Sequence, residues 1–140
     1  MRKAIYAGSF DPITHGHVDV IQRATALFEE VHIGVIENPE KTPLFTLSER
    51  IRLIQEISPA APTLVEGFSG LLIDYAQKKN IFTLIRGLRA VSDFDYEFQM
   101  ALTNRSLCPQ IETLFLMTDA KFSYLSSSLV KQVARYKGDI

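Results

Sequence analysis

The chain has 140 residues, of which 46% are hydrophobic and 22% are charged, a composition typical of a globular domain with one hydrophobic core. Its formal net charge of -1 argues against extended binding of DNA or RNA, because surfaces that bind nucleic acid are normally basic. No apolar run approaches the length of a membrane span, and the single cysteine, Cys108, cannot form an internal disulfide. These features predict one domain over residues 1–140, in the cytoplasm, without a nucleic-acid or membrane partner.

Short apolar runs alternate along the chain with segments whose apolar residues recur at helical spacing. Thr46 and Glu49 form a capping-box pattern and mark the start of the second helix. The predicted elements are a strand over 4–7, a helix over 17–28, a strand over 31–36, a helix over 47–57, a strand over 63–66, a helix from 69 or 70 to Asn80, a strand over 81–85, a helix from 93 or 95 to before Pro109, a strand over 113–117 and a helix from 126 to Gly138.

Five strands in alternation with five helices predict an α/β fold, an open five-stranded parallel sheet with helices on both faces. Ligands of such sheets bind beyond the carboxyl ends of the strands, near the point where the strand order switches. The search for function therefore starts with the polar side chains that follow each strand.

The loop over residues 8–17, between the first strand and the first helix, has the sequence GSFDPITHGH. Gly8 permits a tight turn, after which the Ser9 hydroxyl and neighbouring N–H groups can face an anion. His17 stands at the predicted start of the helix, where it either donates to a phosphoryl oxygen or only caps the helix. His15 and His17 as a pair of metal ligands form a third hypothesis, but no other His or Cys lies at supporting spacing.

Further phosphate-binding candidates follow other strands. Arg86 and Arg89 come after the fourth strand, and their planar guanidinium groups suit phosphates, although such a turn can also be a solvated charge pair. Lys41 lies in the loop after the second strand. The serines at 126–128 open the last helix and form either a second phosphate nest or a simple cap. Glu97 either complements the dipole of the fourth helix or bonds to a ribose or adenine group.

The sequence lacks a phosphate-binding P-loop and a GxGxxG dinucleotide fingerprint. No serine or cysteine has a recognisable base and orienting acid beside it. These absences favour chemistry that depends on positioning and charge stabilisation around phosphates.

Two sets of segments resemble known families. Residues 8–12 and 14–17 resemble the (T/H)xGH signature of the nucleotidyltransferase superfamily, which has a Rossmann-like fold. Segments 41–46, 85–90, 95–97 and 126–131 resemble bacterial phosphopantetheine adenylyltransferases, and the similarity extends from Lys3 to the end of the chain. The signature by itself leaves cytidylyltransferases and nicotinate-nucleotide adenylyltransferases open.

The resemblance implies transfer of AMP from ATP to 4′-phosphopantetheine, giving dephospho-coenzyme A and pyrophosphate in the penultimate step of coenzyme A biosynthesis. It implies Mg²⁺ carried by the ATP phosphates, no metal ligands from the protein, coenzyme A as a possible further ligand, and a homohexamer. Catalytic roles are implied for His17, Lys41 and Arg89, and acceptor binding for Ser9, Lys41, Leu72 and Arg86. The implied ATP site consists of Ser9, Phe10, His17, Gly87, Leu88, Arg89, Glu97, Phe122, Ser123, Tyr124, Leu125, Ser126, Ser127 and Ser128.

The chain departs from the family pattern in two places. Ser9 stands where threonine is common, which keeps the hydroxyl group. The sequence stops at residue 140, where relatives continue into a further helix, so we expect that helix to be absent and assembly to be weakened. Two alternative functions remain at this point: another small-molecule adenylyl- or cytidylyltransferase, and a nucleotide-binding module without turnover.

Overall fold

A computed structural model describes residues 2–40, 42–57, 63–89, 91–123 and 125–138, with the side chains of 91–93 left out. Lys41 and Tyr124, both predicted site residues, lie outside the described residues. The elements are β1 (Lys3–Gly8), α1 (His15–Leu27), β2 (Glu30–Ile36), α2 (Leu47–Ile57), β3 (Thr63–Phe68), α3 (Leu72–Lys79), β4 (Thr83–Leu88), α4 (Val91–Leu107), β5 (Glu112–Met117), a 3-10 turn (Ala120–Phe122) and α5 (Ser127–Arg135).

The five strands form one parallel sheet in the order β3-β2-β1-β4-β5, which confirms the predicted architecture. The order switches at β1, because the chain first builds outwards through β2 and β3 and then returns to add β4 on the other side. Ile5 pairs with Leu84 and Tyr6 with Ile85 across this switch. The loops that leave β1 and β4 therefore open side by side at the carboxyl edge of the sheet.

Both faces of the sheet are covered, and this explains why β1 and β2 are buried along most of their length. Alternate residues of β1 point to opposite faces. Ala4 and Tyr6 pack in the cluster that α1 and α2 complete, whereas Ile5 and Ala7 join the cluster on the α3 side. Gly87 in β4 lets α1 approach closely, because a Cβ there would lie 2.8 Å from Val20 Cγ2.

Several boundaries differ from the prediction. The first helix begins at His15 rather than at about residue 17, because the Thr14 hydroxyl accepts from the backbone N–H of His17 and caps the helix two residues earlier. Helix α3 begins at Leu72, after Leu71 as its N-cap, and not at 69 or 70. Helix α4 begins at Val91 rather than at 93 or 95.

Two chain segments end differently from the expectation. Strand β4 continues to Leu88, since its pairing with β5 extends to Met117, and Arg86 therefore lies within the strand. The last helix ends at Arg135, and Lys137 rather than a glycine takes the left-handed conformation at φ 62°. The Thr46–Glu49 capping box is confirmed: Thr46 N donates to Glu49 Oε1 over 2.9 Å and Glu49 N donates to Thr46 Oγ1 over 3.2 Å.

Candidate active site

A pocket of about 460 Å³ lies at the carboxyl edge of the sheet, over the switch between β1 and β4. Small-molecule sites commonly have volumes of about 300–1,000 Å³, and so this pocket is large enough for a nucleotide. Its wall is built from the ends of β1, β2 and β4, the loop before α1, the segment between β2 and α2, the residue after β5, and the first two turns of α1 and α5, with one residue each from α2 and α4. The charged and hydroxyl- or amide-bearing residues of the wall, with the histidine, are Tyr6, Ser9, Asp11, Thr14, His17, Asn38, Thr42, Arg50, Arg86, Arg89, Glu97, Thr118, Ser126, Ser127, Ser128 and Lys131.

The ring of His17 is fixed by the capping box at the start of α1. Thr14 N donates to His17 Nδ1 over 2.9 Å, and the Thr14 hydroxyl lies 3.1 Å from the same nitrogen. A nitrogen that accepts a backbone N–H carries no proton, and the neutral ring must therefore carry its proton on Nε2. The edge of the Phe10 ring packs against the imidazole at a centroid distance of 4.9 Å. His17 is thus a cap and also a fixed Nε2–H donor in the pocket wall.

Electrostatics keep this ring neutral. Burial, followed by the positive charges of Arg89 and Arg86, lowers the pKa of His17 from 6.5 to about 4. At neutral pH the side chain can therefore donate a hydrogen bond from Nε2, but it brings no positive charge of its own.

This shift predicts a loss of stability in mild acid. The unfolded chain, with the pKa of His17 near 6.5, gains a proton between pH 6.5 and 4 that the folded chain resists, so stability falls as pH drops through this window. At 1.36 kcal/mol per pKa unit, the loss reaches about 3 kcal/mol. Urea unfolding of the wild type and of His17→Asn, at pH values from 7 to 4, measures the effect as the difference between the two curves. If the unfolding free energies of the two proteins fell in parallel with pH, His17 would not be the source of the acid-induced loss of stability.

Arg86 and Glu97 form an ion pair at the floor of the pocket. Arg86 Nε lies 3.0 Å from Glu97 Oε2 and Nη2 lies 2.8 Å from Oε1, while Nη1 donates to the carbonyl of Ala7 over 2.8 Å. These bonds use three of the five N–H groups of a guanidinium. Glu97 is buried in the second turn of α4, beyond the first turn where the helix dipole would favour an acid. The carboxylate of Glu97 therefore pairs with Arg86, which the sequence analysis predicted to hold a phosphate.

The start of α5 closes another side of the pocket. Ser126 is the N-cap and accepts from Leu129 N over 3.1 Å, as predicted. Ser127 Oγ instead donates to the carbonyl of Pro12 over 2.7 Å and joins α5 to the loop after β1. Arg89 Nη1 donates to the carbonyl of Leu125 over 2.6 Å. The structure therefore brings Arg89 and the serines at 126–128 together at one helix start, where N–H groups suit an anion.

Sequence reasoning missed three charged residues of the wall, Asp11, Arg50 and Lys131. Arg50 is 4% exposed and donates to three carbonyls: Nη1 to Ser9 and Ile36, over 2.9 and 3.0 Å, and Nε to Phe45, over 3.2 Å. The sequence contained a signal for the burial of Arg50, because position 50 falls on the helical stripe of apolar residues that begins at 47.

Asp11 is equally buried. Its two oxygens accept from Phe45 N over 2.9 Å and from Leu44 N over 2.8 Å, and Lys131 Nζ lies 3.3 Å from Oδ2. Burial by itself would raise the pKa of this carboxyl, but the two backbone donors and Lys131 bring the pKa below its usual value. Asp11 is therefore ionised at neutral pH.

The described part of the wall carries a surplus of positive charge. Four cationic side chains, Arg50, Arg86, Arg89 and Lys131, face two carboxylates, Asp11 and Glu97. The formal surplus is two positive charges in a recess, where low-dielectric walls strengthen their field. The pocket is thus suited to a ligand with several negative charges.

Some predicted site residues lie elsewhere. Leu72, Leu88, Phe122 and Ser123 are outside the pocket wall, although all of them lie in described parts of the chain. Phe122 stacks on the ring of His15 at a centroid distance of 5.9 Å. The remaining predicted residues whose positions the structure describes, Ser9, Phe10, His17, Arg86, Gly87, Arg89, Glu97, Leu125, Ser126, Ser127 and Ser128, all line the wall.

Among the described residues, no helix combines the length and apolar character needed to cross a membrane. The same residues contain no group of three or more His, Cys, Asp and Glu side chains arranged to hold a metal ion.

Comparison with solved structures identifies the fold. A nicotinic acid mononucleotide adenylyltransferase from Plasmodium falciparum, complexed with NaAD, superposes with a TM-score of 0.70 at 16% identity, over 99% of this chain and 86% of that one. A bifunctional NMN adenylyltransferase/ADP ribose pyrophosphatase from Francisella tularensis, complexed with AMP and a manganese ion, gives a TM-score of 0.68 at 15% identity, over 99% and 42%. The sheet and helices thus have the same fold as these two proteins.

Comparison of sequences identifies the family. The cytidylyltransferase-like family model matches residues 5–133. The phosphopantetheine adenylyltransferase of Alkaliphilus metalliredigens is 58% identical, over 100% of this chain and 90% of the relative, and that of Caldanaerobacter subterraneus is 54% identical, over 99% and 87%. Since these relatives are matched over nearly their whole length, the chain belongs to the phosphopantetheine adenylyltransferases, within the cytidylyltransferase-like family.

Proposed function

We propose that this chain transfers AMP from ATP to 4′-phosphopantetheine, with dephospho-coenzyme A and pyrophosphate as the products. The observation that carries the proposal is the neutral Nε2–H donor of His17, held in a pocket with surplus positive charge. The names of the relatives at 58% and 54% identity support the choice of acceptor.

The proposed chemistry is a direct in-line displacement. An oxygen of the acceptor phosphate attacks the α-phosphorus of ATP, the bond from that phosphorus to the oxygen bridging to the β-phosphate breaks, and pyrophosphate leaves. The attacking oxygen is already anionic, and so no base has to remove a proton. His17 donates from Nε2 to a non-bridging α-oxygen as charge develops there, a role that a neutral fixed donor can fill.

The donor side of the pocket is assigned to the ATP phosphates. Arg89 and the α5 start with its serines at 126–128 hold the β- and γ-phosphates, by charge-assisted hydrogen bonds and by N–H groups at the helix start. Phe10, Gly87, Leu88, Glu97, Phe122, Ser123, Tyr124 and Leu125 complete the proposed ATP site. Leu88, Phe122 and Ser123 lie outside the wall, so in this proposal they would meet the nucleotide only at the edge of the pocket.

The acceptor side is assigned to Arg86, Lys41, Ser9 and Leu72. Arg86 keeps one N–H on each terminal nitrogen beyond its described bonds, which suits an acceptor phosphate. Ser9 is exposed at the wall, between Arg86 on β4 and the segment after β2. Leu72 lies outside the wall, where only an extended acceptor such as a pantetheine arm would meet it.

Mg²⁺ fits this site as an ion carried by ATP. Both wall carboxylates are already engaged, Asp11 by two N–H groups and Lys131, and Glu97 by Arg86. The phosphates would therefore supply the ligands of the ion, and the bound ion would neutralise charge on the leaving pyrophosphate.

We also propose that the chain assembles as a homohexamer in the cytoplasm. Helix α4 and strand β5 expose large apolar side chains, and the Phe94 ring lies 5.5 Å from that of Phe98 and 6.2 Å from that of Phe115. Apolar surface of this extent favours burial against another protein surface. Sedimentation velocity on the purified chain measures the assembly, and a monomer at micromolar concentration would contradict it.

Pyrophosphate release tests the function. The chain with ATP, Mg²⁺ and 4′-phosphopantetheine is expected to release pyrophosphate and form dephospho-coenzyme A in equal amounts. Nicotinic acid mononucleotide and NMN, the nucleotides in the names of two structurally similar adenylyltransferases, serve as matched controls and should give no release. Release with one of them alone would assign a different transferase, and ATP binding without release from any acceptor would indicate a module without turnover.

A further inference from the structure

We infer that Asp11 is a positioning residue that holds the two sides of the pocket at one spacing. Its carboxylate joins the 42–46 segment, which leads from β2 into α2, to helix α5. This inference is tested in two ways below. The test by enzyme kinetics rests on the proposed function, whereas the test by amide hydrogen exchange does not require turnover.

The contacts of Asp11 reach two distant parts of the chain. Oδ1 accepts from Phe45 N and Oδ2 from Leu44 N, 34 and 33 residues away in sequence. Oδ2 also accepts from Lys131 Nζ, 120 residues away, on the face of α5 that carries Ser127 one turn earlier. A second bond, from Ser127 Oγ to Pro12 O, joins the same helix to the residue after Asp11.

Both groups that Asp11 joins belong to the pocket. Thr42 and Pro43 line the wall immediately before the two amides that the carboxylate accepts from. Ser126, Ser127, Ser128 and Lys131 line it from α5. The proposed acceptor residue Lys41 directly precedes Thr42 in sequence, and the proposed donor site includes the start of α5. We therefore expect the distance between these two sides to set the distance between the reacting atoms.

In-line transfer depends strongly on this spacing. Effective molarities of well-oriented reactant pairs reach about 10⁵–10⁸ M, and a displacement of about 1 Å can cost about a hundredfold in rate. The carboxylate of Asp11 ties these two segments together by charge-assisted hydrogen bonds to two backbone N–H groups and one ammonium group. Loss of Asp11 would therefore lower kcat more than it weakens the binding of either substrate.

The kinetic test uses two variants and a control. Asp11→Asn puts an amide where the carboxylate accepts, and Lys131→Met removes only the bond to α5. We expect kcat to fall about 10–100-fold in Asp11→Asn, with each KM changed less than about threefold. In Lys131→Met we expect a smaller fall, and the double variant should be no worse than Asp11→Asn, because both changes break one connection.

Glu66→Gln is the matched control, since Glu66 accepts from Tyr75 Oη over 2.8 Å and also pairs with Lys79, outside the pocket wall. It should leave kcat unchanged. Additive losses in the double variant, or a raised KM for ATP at unchanged kcat in Lys131→Met, would overturn the inference, because Lys131 would then act on the nucleotide directly.

Amide exchange tests the connection without turnover. The α,β-methylene analogue of ATP binds without being cleaved at the α-phosphorus, and it should slow exchange at Leu44 and Phe45 in the wild type. In Lys131→Met, which leaves both amide bonds to Asp11 in place, this slowing should be lost, whereas Glu66→Gln should retain it. If no acceptor gives pyrophosphate but the slowing depends on Lys131, the proposed function fails and the inference stands. Unchanged slowing in Lys131→Met would overturn the inference.

Discussion

His17→Ala is expected to lower kcat by about 10²–10³-fold while ATP still binds. The variant removes the Nε2–H donor that we propose faces developing charge on the α-phosphate, and loss of one positioned donor typically costs this much. The cationic side chains of the pocket remain, so the dissociation constant for ATP should change little. Steady-state turnover and calorimetric ATP titration measure the two quantities separately.

The variant also loses the capping interaction, and a second substitution separates this effect. In His17→Asn the side-chain oxygen can accept from Thr14 N in place of Nδ1, but the side chain is too short to place a donor where Nε2 lies. His17→Asn should therefore be more stable than His17→Ala and about as inactive. Near-normal turnover in either variant would remove His17 from the mechanism.

Glu97→Gln is expected to raise the KM for the acceptor by about tenfold and to leave the KM for ATP within about threefold. The carboxylate holds Nε and Nη2 of Arg86 at 3.0 and 2.8 Å, and an amide would turn an N–H group towards the guanidinium. Breaking a buried pair costs about 3–5 kcal/mol, but the side chain of Arg86 is 34% exposed, so we expect a loss of about 1–2 kcal/mol in unfolding free energy.

The same experiment distinguishes two roles for Glu97. The family resemblance implies contact with the nucleotide, and a raised KM for ATP with an unchanged KM for the acceptor would support that role. The pairing with Arg86 predicts the opposite pattern. Glu112→Gln is a suitable control, since it breaks only an exposed ion pair with Arg105 at 3.1 Å and should change neither KM.

The elements of the fold could be predicted because their signals are local. The buried runs of β1 and β2 and the Thr46–Glu49 capping box depend on residues within a few positions of one another. The missed boundaries have two kinds of cause: α1 begins at His15 because of the local Thr14 cap, whereas β4 extends to Leu88 because β5 pairs with it there. The motif residues Ser9, His17, Arg86 and Arg89 all line the pocket, as expected for residues near the carboxyl ends of parallel strands.

The sequence by itself thus determined the parallel sheet, the end of the sheet that carries the site, and the family. The tertiary structure decided which groups those residues meet: Arg86 with Glu97, Asp11 with Lys131, and Arg50 with three carbonyls. It also decided the protonation of His17, whose pKa depends on burial and on two arginines more than 65 residues away. Periodicity and capping act over one or two turns of chain, whereas burial and charge act through space, and only the folded arrangement brings these residues together.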